Sequence, residues 1–288
     1  MKKPQFNKAK FKREKYKYLR ALIQLLFFIF LPSAFSTAFA AIKNIFTSMG
    51  QHRVIEMNSL VIVLISLCAF TIVFGRFFCG YACAFGALGD AVRALYVFIC
   101  KKLKKKPFTL SEKAGLYLKY IKYLVLFAIV IACYTGVYSK TSGYSPWDVF
   151  SMLRAGTFRP QGYILGIILL GLILVLMAVS ERAFCKFLCP MGAVFSFLPV
   201  IPLFSVRRKK ADCARGCTAC HKVCPSDLDL PEKGSWKVSG ECFECKKCVN
   251  ICPKKNASCG AAKFRGNEIW FTVAEAAALA LTMVLAGV

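Results

Sequence analysis

The sequence predicts an α-helical integral membrane protein of about five transmembrane helices, with an internal repeat and an inserted, cysteine-rich cytoplasmic domain. Three observations predict this class. Of 288 residues 57% are hydrophobic, and they gather in long uncharged runs. The 40 Lys and Arg outnumber the 14 Asp and Glu, a formal charge of +26, and most of them stand between those runs. There are 16 cysteines, and eight of them fall between Cys213 and Cys252. A disordered basic chain has few apolar residues, and a secreted disulfide scaffold is short and loop-rich. Neither class fits.

The apolar runs are Ala21–Ile42, Leu60–Phe74, Tyr120–Val137, Tyr163–Val179 and Ile269–Val288. Helices of this length reach across a hydrocarbon core of about 30 Å with help from their flanks. The second run needs Phe77 and Phe78 to do so, and the fifth contains Glu275. Basic residues set the orientation. Nine lie in residues 1–20, Lys101, Lys102, Lys104, Lys105, Lys106 and Lys113 lie in the link 101–119, and Arg207, Arg208, Lys209 and Lys210 follow the fourth run. Loops 43–59 and 138–162 hold only Lys43, Arg53, Lys140, Arg154 and Arg159. This alternation places the N-terminus, the 101–119 link and the cysteine-rich segment in the cytoplasm, and the C-terminus outside. Ala38-Phe39-Ala40 has the pattern of a signal-peptidase site, but its apolar run is longer than a signal core, so an uncleaved anchor is expected. The expected organisation is a basic arm (1–20), a four-helix membrane domain (21–206), the cysteine-rich domain (207–260) and a C-terminal helix (268–288).

The membrane domain contains a repeat. Arg76-Phe77-Phe78-Cys79-Gly80-Tyr81-Ala82-Cys83-Ala84-Phe85-Gly86-Ala87 aligns without gaps, at an offset of 106, with Arg182-Ala183-Phe184-Cys185-Lys186-Phe187-Leu188-Cys189-Pro190-Met191-Gly192-Ala193. Paired halves of a membrane protein commonly meet at a site. On a continuing helix, residues i and i+4 share a face, so Cys79 with Cys83 and Cys185 with Cys189 present two pairs of thiols. Four thiolates are the ligand count of an iron–sulfur cluster or a tetrahedral metal. Packing of buried thiols and a dithiol–disulfide couple are the other uses such pairs have. Pro190 suits the first turn of a new helix. Arg76 and Arg182 are placed either to lower the thiol pKa values or to anchor at headgroups.

The cysteine-rich domain carries the most specific pattern. Cys242-x2-Cys245-x2-Cys248-x3-Cys252-Pro253 is the bacterial ferredoxin run, and Cys213-x3-Cys217-x2-Cys220-x3-Cys224-Pro225 matches it with one extra residue, which Gly216 is placed to absorb. In two-cluster ferredoxins the displaced fourth Cys ligates the other cluster. One 4Fe–4S cluster is therefore expected on Cys213, Cys217, Cys220 and Cys252, and a second on Cys242, Cys245, Cys248 and Cys224. Structural zinc sites use two C-x2-C units across a longer gap and have no need of four Cys in so short a run before Pro. The domain is too short for a sizeable apolar core, so the clusters must hold much of its fold.

Other residues are expected to do less. His52 and His221 fall on opposite sides of the membrane, which argues against a bis-His haem. Asp90 and Arg93 are expected to pair with each other, and Glu181 to pair likewise with Arg182. Glu275 is an intramembrane carboxylate and a functional candidate, or a snorkelling residue. Cys68 and Cys133 read as packing residues, and Cys100 and Cys259 lack ligand spacing. Lys101–Lys106 anchor at anionic lipid or steer an acidic electron carrier. No nucleotide loop or hydrolytic triad is present, and the membrane-sided charge argues against nucleic acid.

Together, the spans ending in Cys79-x3-Cys83 and Cys185-x3-Cys189-Pro190 and the two ferredoxin runs resemble the membrane-bound polyferredoxins of the NapH, NosR and MauN type, and more distantly CcoG. The resemblance covers roughly residues 20–255. It departs from the family pattern at Ala84, where the repeated C-x3-C-P motif has Pro. It implies an electron-transfer subunit of an oxidoreductase complex rather than a stand-alone enzyme. Such a subunit passes electrons between a membrane donor, quinol or a flavin-binding subunit, and a redox partner protein. Two 4Fe–4S clusters and a further iron–sulfur or metal site at Cys79, Cys83, Cys185 and Cys189 are the expected cofactors. The alternatives are an accessory factor for metalloenzyme assembly or metal reduction, and a redox sensor.

Overall fold

The computed structural model describes residues 8–108, 110, 112–140, 144–157, 162–201, 204–233, 235, 238–259 and 268–287, without the side chains of 8–15, 112, 113, 140, 154 and 155. The start of the basic arm and Arg159 lie outside the described residues, as do the side chains of Lys113, Lys140 and Arg154. The twelve helices described are α1 (Lys8–Phe30), α2 (Ala34–Gly50), α3 (Ser59–Phe74), α4 (Ala84–Lys102), α5 (Glu112–Leu118), α6 (Ile121–Tyr134), α7 (Pro146–Ala155), α8 (Ile164–Val179), α9 (Pro190–Phe197), α10 (Ala219–Lys222), α11 (Lys247–Ile251) and α12 (Glu268–Leu285). Among the described residues the only β pairing is two isolated bridges, Arg207 to Ser258 and Arg208 to Glu232.

Among the described residues two helices are long and apolar enough to cross a membrane, Ala114–Tyr134 and Glu268–Leu285. Tyr16–Phe30 with Ala34–Gly50 forms a third candidate, a pair bent by 57°. α3 and α8 are shorter apolar helices. The first apolar run is thus not one straight helix. Pro32 lies in the break, where it supplies no N–H and disfavours helical backbone in the residue before it.

Local chemistry sets the other ends. The Asn58 side chain accepts from Val61 N at 3.2 Å and caps α3, while Gly75 at φ 70° closes it. Ser145 caps α7 ahead of Pro146, and Gly156 at φ 68° ends it. Each side-chain cap satisfies a backbone group that the helix terminus leaves unpaired.

The chain has two distinct ends. At one, Lys43 of α2 pairs with Asp148 in the first turn of α7 at 3.3 Å. At the other lie both cysteine pairs, the start of α6 and the cysteine-rich segment. The repeat copies meet through aromatic rings: Phe85 stacks on Phe184 with centroids 4.5 Å apart, and Phe35 and Phe150 pack on Phe85. Such pairs contribute about 0.5–1.5 kcal/mol each beyond their buried area.

Gly80 is where the cysteine-rich segment lands on the first repeat. A Cβ there would stand 2.3 Å from the Phe243 carbonyl oxygen. Gly80→Ala is therefore expected to cost about 1–3 kcal/mol by overpacking and to loosen the segment. Faster protease cleavage between residues 213 and 253, with the membrane helices intact, is the readout.

Candidate metal centres

The first cysteine of each pair, Cys79 and Cys185, sits on a single turn of π-helix, Phe78–Ala82 and Phe184–Leu188. Cys83 and Cys189 follow in extended backbone, φ −65° and −72°, and serve as N-caps of α4 and α9. The helix therefore does not run on through each pair as the i, i+4 reading assumed. A wide π turn and a chain reversal bring the thiols inward instead, and such turns are frequent at functional sites. Pro190 takes the first position of α9, and the Cys189 sulfur accepts from Gly192 N at 3.3 Å.

The four thiols come together. Each is only 3–5% exposed. Burial pushes the Cys83 thiol well above its ordinary range, and the neighbouring Cys185, Cys79 and Cys189 push it the same way. Burial likewise raises Cys185 to about 12 despite Arg182. Burial favours the protonated thiol even beside this arginine, and a bound metal would be what makes the thiols thiolates.

Two fully buried guanidinium groups flank this site. Arg182 donates to the Cys79 carbonyl, to Gly80 O at 2.7 Å and to Asp90 at 2.6 and 3.2 Å. Arg76 lies against Cys79 and Cys189 and pairs with Glu241 at 3.0 Å. Its buried Nε and Nη2 complete no hydrogen bond. Neither arginine is a headgroup anchor. Four soft donors, two buried cations and orphaned N–H groups fit an anionic metal–sulfur group.

Asp90 does not pair with Arg93. It accepts from Arg182, Arg20 (2.7 Å) and Gln24 (2.7 Å). Burial alone would raise its carboxyl, but Arg182 and then Arg20 hold it below the ordinary carboxylate range. Arg93 instead donates to Ala178 O at 2.6 Å and Val179 O at 2.9 Å, capping α8. Glu181 pairs with Lys247 rather than Arg182. The interhelical partners win because a buried guanidinium needs several acceptors and one neighbouring carboxylate supplies too few.

In the cysteine-rich segment, Cys224, Cys242, Cys245 and Cys248 line one cavity with Pro225 and Phe243. Burial raises the Cys242 and Cys248 thiols, and their cysteine neighbours add to the rise. Glu244 (φ 48°) and Lys246 (φ 55°) take left-handed backbone on either side of Cys245. Cys213 and Cys252 share Asn256, whose Nδ2 is 3.4 Å from Cys213 Sγ and whose N is 3.2 Å from Cys252 Sγ. Arg208 donates to Cys220 Sγ at 3.0 Å, and Cys217 stands half-buried after Gly216, which turns at φ 68°. Cys220, Cys248 and Cys252 pack around Val206, Leu230, Val249, Ala257 and Cys259. Among the described residues no three His, Cys, Asp or Glu side chains converge as a single metal ion requires.

Phe243 connects the two regions. Arg76 and Arg182 lie over its ring at 4.7 and 5.4 Å from the centroid. On the far side, Glu275 is buried and pairs with Lys246, which also donates to Thr272 at 3.3 Å. Glu275 therefore ties α12 to the cysteine-rich segment and does not snorkel. Lys122, Glu241, Phe243 and Lys246 were not singled out from the sequence. Lys122, a lone charge at the start of an apolar run, was the available signal.

A family model described as a 4Fe–4S binding domain matches residues 58–107 and 163–210, once over each repeat copy. An uncharacterised protein of Methanocaldococcus jannaschii is 31% identical over 83% of this chain and 85% of its own length. The putative electron transport protein YccM of Escherichia coli is 27% identical over 67% of this chain and 53% of its own length. The ferredoxin-type protein NapH of Escherichia coli is 27% identical over 62% of this chain and 59% of its own length. No solved structure matches the chain. The repeated 4Fe–4S match, these relatives and the apolar helices that end at paired cysteines lead to one conclusion: the chain belongs to the membrane-bound 4Fe–4S polyferredoxin family.

Proposed function

We propose that this protein is a membrane-anchored electron relay with three redox sites. Cys213, Cys217, Cys220 and Cys252 hold one 4Fe–4S cluster, and Cys242, Cys245, Cys248 and Cys224 hold the second. Cys79, Cys83, Cys185 and Cys189 hold a further iron–sulfur site between the repeat copies. The observation that carries this reading is the single cavity lined by Cys224 and the three closely spaced cysteines of the other motif. A 4Fe–4S cluster takes up and releases one electron at a time.

The residues of this chain supply order and insulation. Cys213, Cys217 and Cys220 are half-buried, Cys245 is buried, and the four repeat thiols are nearly sealed. The cysteines of both motifs are more exposed than the repeat thiols, so the cysteine-rich segment is the exchange point with a redox partner protein. Phe243, between Cys242 and Cys245, touches both arginines of the repeat site and makes the second motif its neighbour. The membrane donor is a quinol or a flavin-binding subunit. The electron-transport and ferredoxin-type names of the two Escherichia coli relatives accord with this reading. The alternation of basic loops supports a cytoplasmic cysteine-rich segment in a multi-pass protein of the cell membrane, with Lys101–Lys106 at anionic lipid.

Reduction in proteoliposomes tests the relay. Added quinol, or a reduced flavoprotein subunit, should bleach the cluster absorbance and develop 4Fe–4S EPR signals, and Cys185→Ser should slow this at least tenfold. Clusters that neither donor reduces, but that dithionite does, would contradict a relay and favour an assembly or sensing role.

A further inference from the structure

The two repeat copies are not equivalent in how they hold their arginines. In the first copy Asp90, seven residues after Cys83, reaches Arg182 of the second copy at 2.6 Å. The offset of 106 maps Asp90 onto Ser196, which has no charge. Arg76, the equivalent of Arg182, would then be buried without a carboxylate. Glu241, immediately before Cys242, fills the gap: its carboxylate is 3.0 Å from Arg76 and 2.5 Å from the fully buried Lys122. The Tyr123 hydroxyl lies 2.9 Å from Ser196 Oγ and donates to Glu241 at 3.1 Å, so Glu241 occupies the neighbourhood of Ser196. The glycines keep the same symmetry. A Cβ on Gly86 would meet Arg182 Nη1 at 3.5 Å, and a Cβ on Gly192 would meet Arg76 Nη2 at 2.9 Å.

We infer that Glu241 is the carboxylate missing from the second repeat, a positioning residue that the ferredoxin segment lends to the four-cysteine site by fixing Arg76 against Cys79 and Cys189. The inference rests on the reading of those cysteines as a redox site. It makes that site complete only when the segment carrying Cys242 is docked. Lys122 completes the group, its ammonium donating to Glu241 Oε1 at 2.5 Å and to Oε2, the oxygen that Arg76 also holds, at 2.6 Å. Arg76 cannot swing away, because Gly192 and the Phe243 ring hem it in. Loss of the Glu241 charge therefore leaves the site more positive, which favours its reduced form.

The test is an EPR-monitored redox titration of the full chain, with Cys185→Ser used to assign the signal of the four-cysteine site. Glu241→Gln and Asp90→Asn should each move that midpoint upward. Ser196→Asp added to Glu241→Gln should bring it back towards the wild-type value, and Glu241→Asp should move it less than Glu241→Gln. A midpoint indifferent to Glu241→Gln but moved by Asp90→Asn would overturn the inference, as would failure of Ser196→Asp to restore it in a chain that keeps its iron. Absence of any Cys185-dependent iron in the wild type would remove the redox reading. The positioning role is then judged on thiol access: Glu241→Gln should speed alkylation of Cys79 and Cys189 severalfold and Ser196→Asp should slow it again, and unchanged rates would overturn the inference.

Discussion

Arg182→Met is expected to destabilise the chain by about 3–5 kcal/mol, the cost of leaving a buried ionic partner uncompensated. The substitution strands Asp90 between helices, with Arg20 as its remaining cation. It also takes the guanidinium from the buried Cys79 and Gly80 carbonyls, leaving Gly80 with its longer bond from Gln24 at 3.3 Å. Thermal unfolding in detergent should show a large drop in midpoint, and Asp90→Asn in the same chain should recover part of it. Arg182→Lys should rescue poorly, because an ammonium does not span the carboxylate and two carbonyls as a planar guanidinium does. An unchanged midpoint in Arg182→Met would mean that the repeat copies are held by their aromatic rings alone.

Cys248→Ser should have the second large effect. It removes one thiol from the cavity that Cys224, Cys242 and Cys245 also line. Loss of about four iron atoms per chain, with one EPR signal missing, is the expected outcome. Cys259 provides the contrast. It is buried beside Cys248 but belongs to the small apolar cluster with Val206 and Val249. Cys259→Ala should leave the iron count unchanged, and an equal loss in both variants would shift ligand status to Cys259.

Much of the arrangement was legible from spacing. Four of the apolar runs each coincide with one apolar helix, the first is broken between α1 and α2, and Pro190 announces the start of α9. Tight cysteine motifs are read locally because few residues separate the donors. The pairings that seal the site were not legible. Arg76 and Glu241 are 165 positions apart, and Lys122 and Glu241 are 119 apart. Local rules favour near neighbours and match Asp90 to Arg93 and Glu181 to Arg182. Burial reverses that preference, since a guanidinium sealed between helices must find every acceptor inside the fold. The π turns were hidden for a related reason. Spacing marks Cys79 and Cys83 as neighbours on a continuing α-helix, and nothing in that spacing signals a π turn.

The most direct measurement of the proposed clusters is iron and acid-labile sulfide per chain on anaerobically purified protein. About 10–12 iron atoms are expected, falling to about 8 in Cys185→Ser, with 4Fe–4S signals on reduction. Zinc bound without sulfide would contradict them.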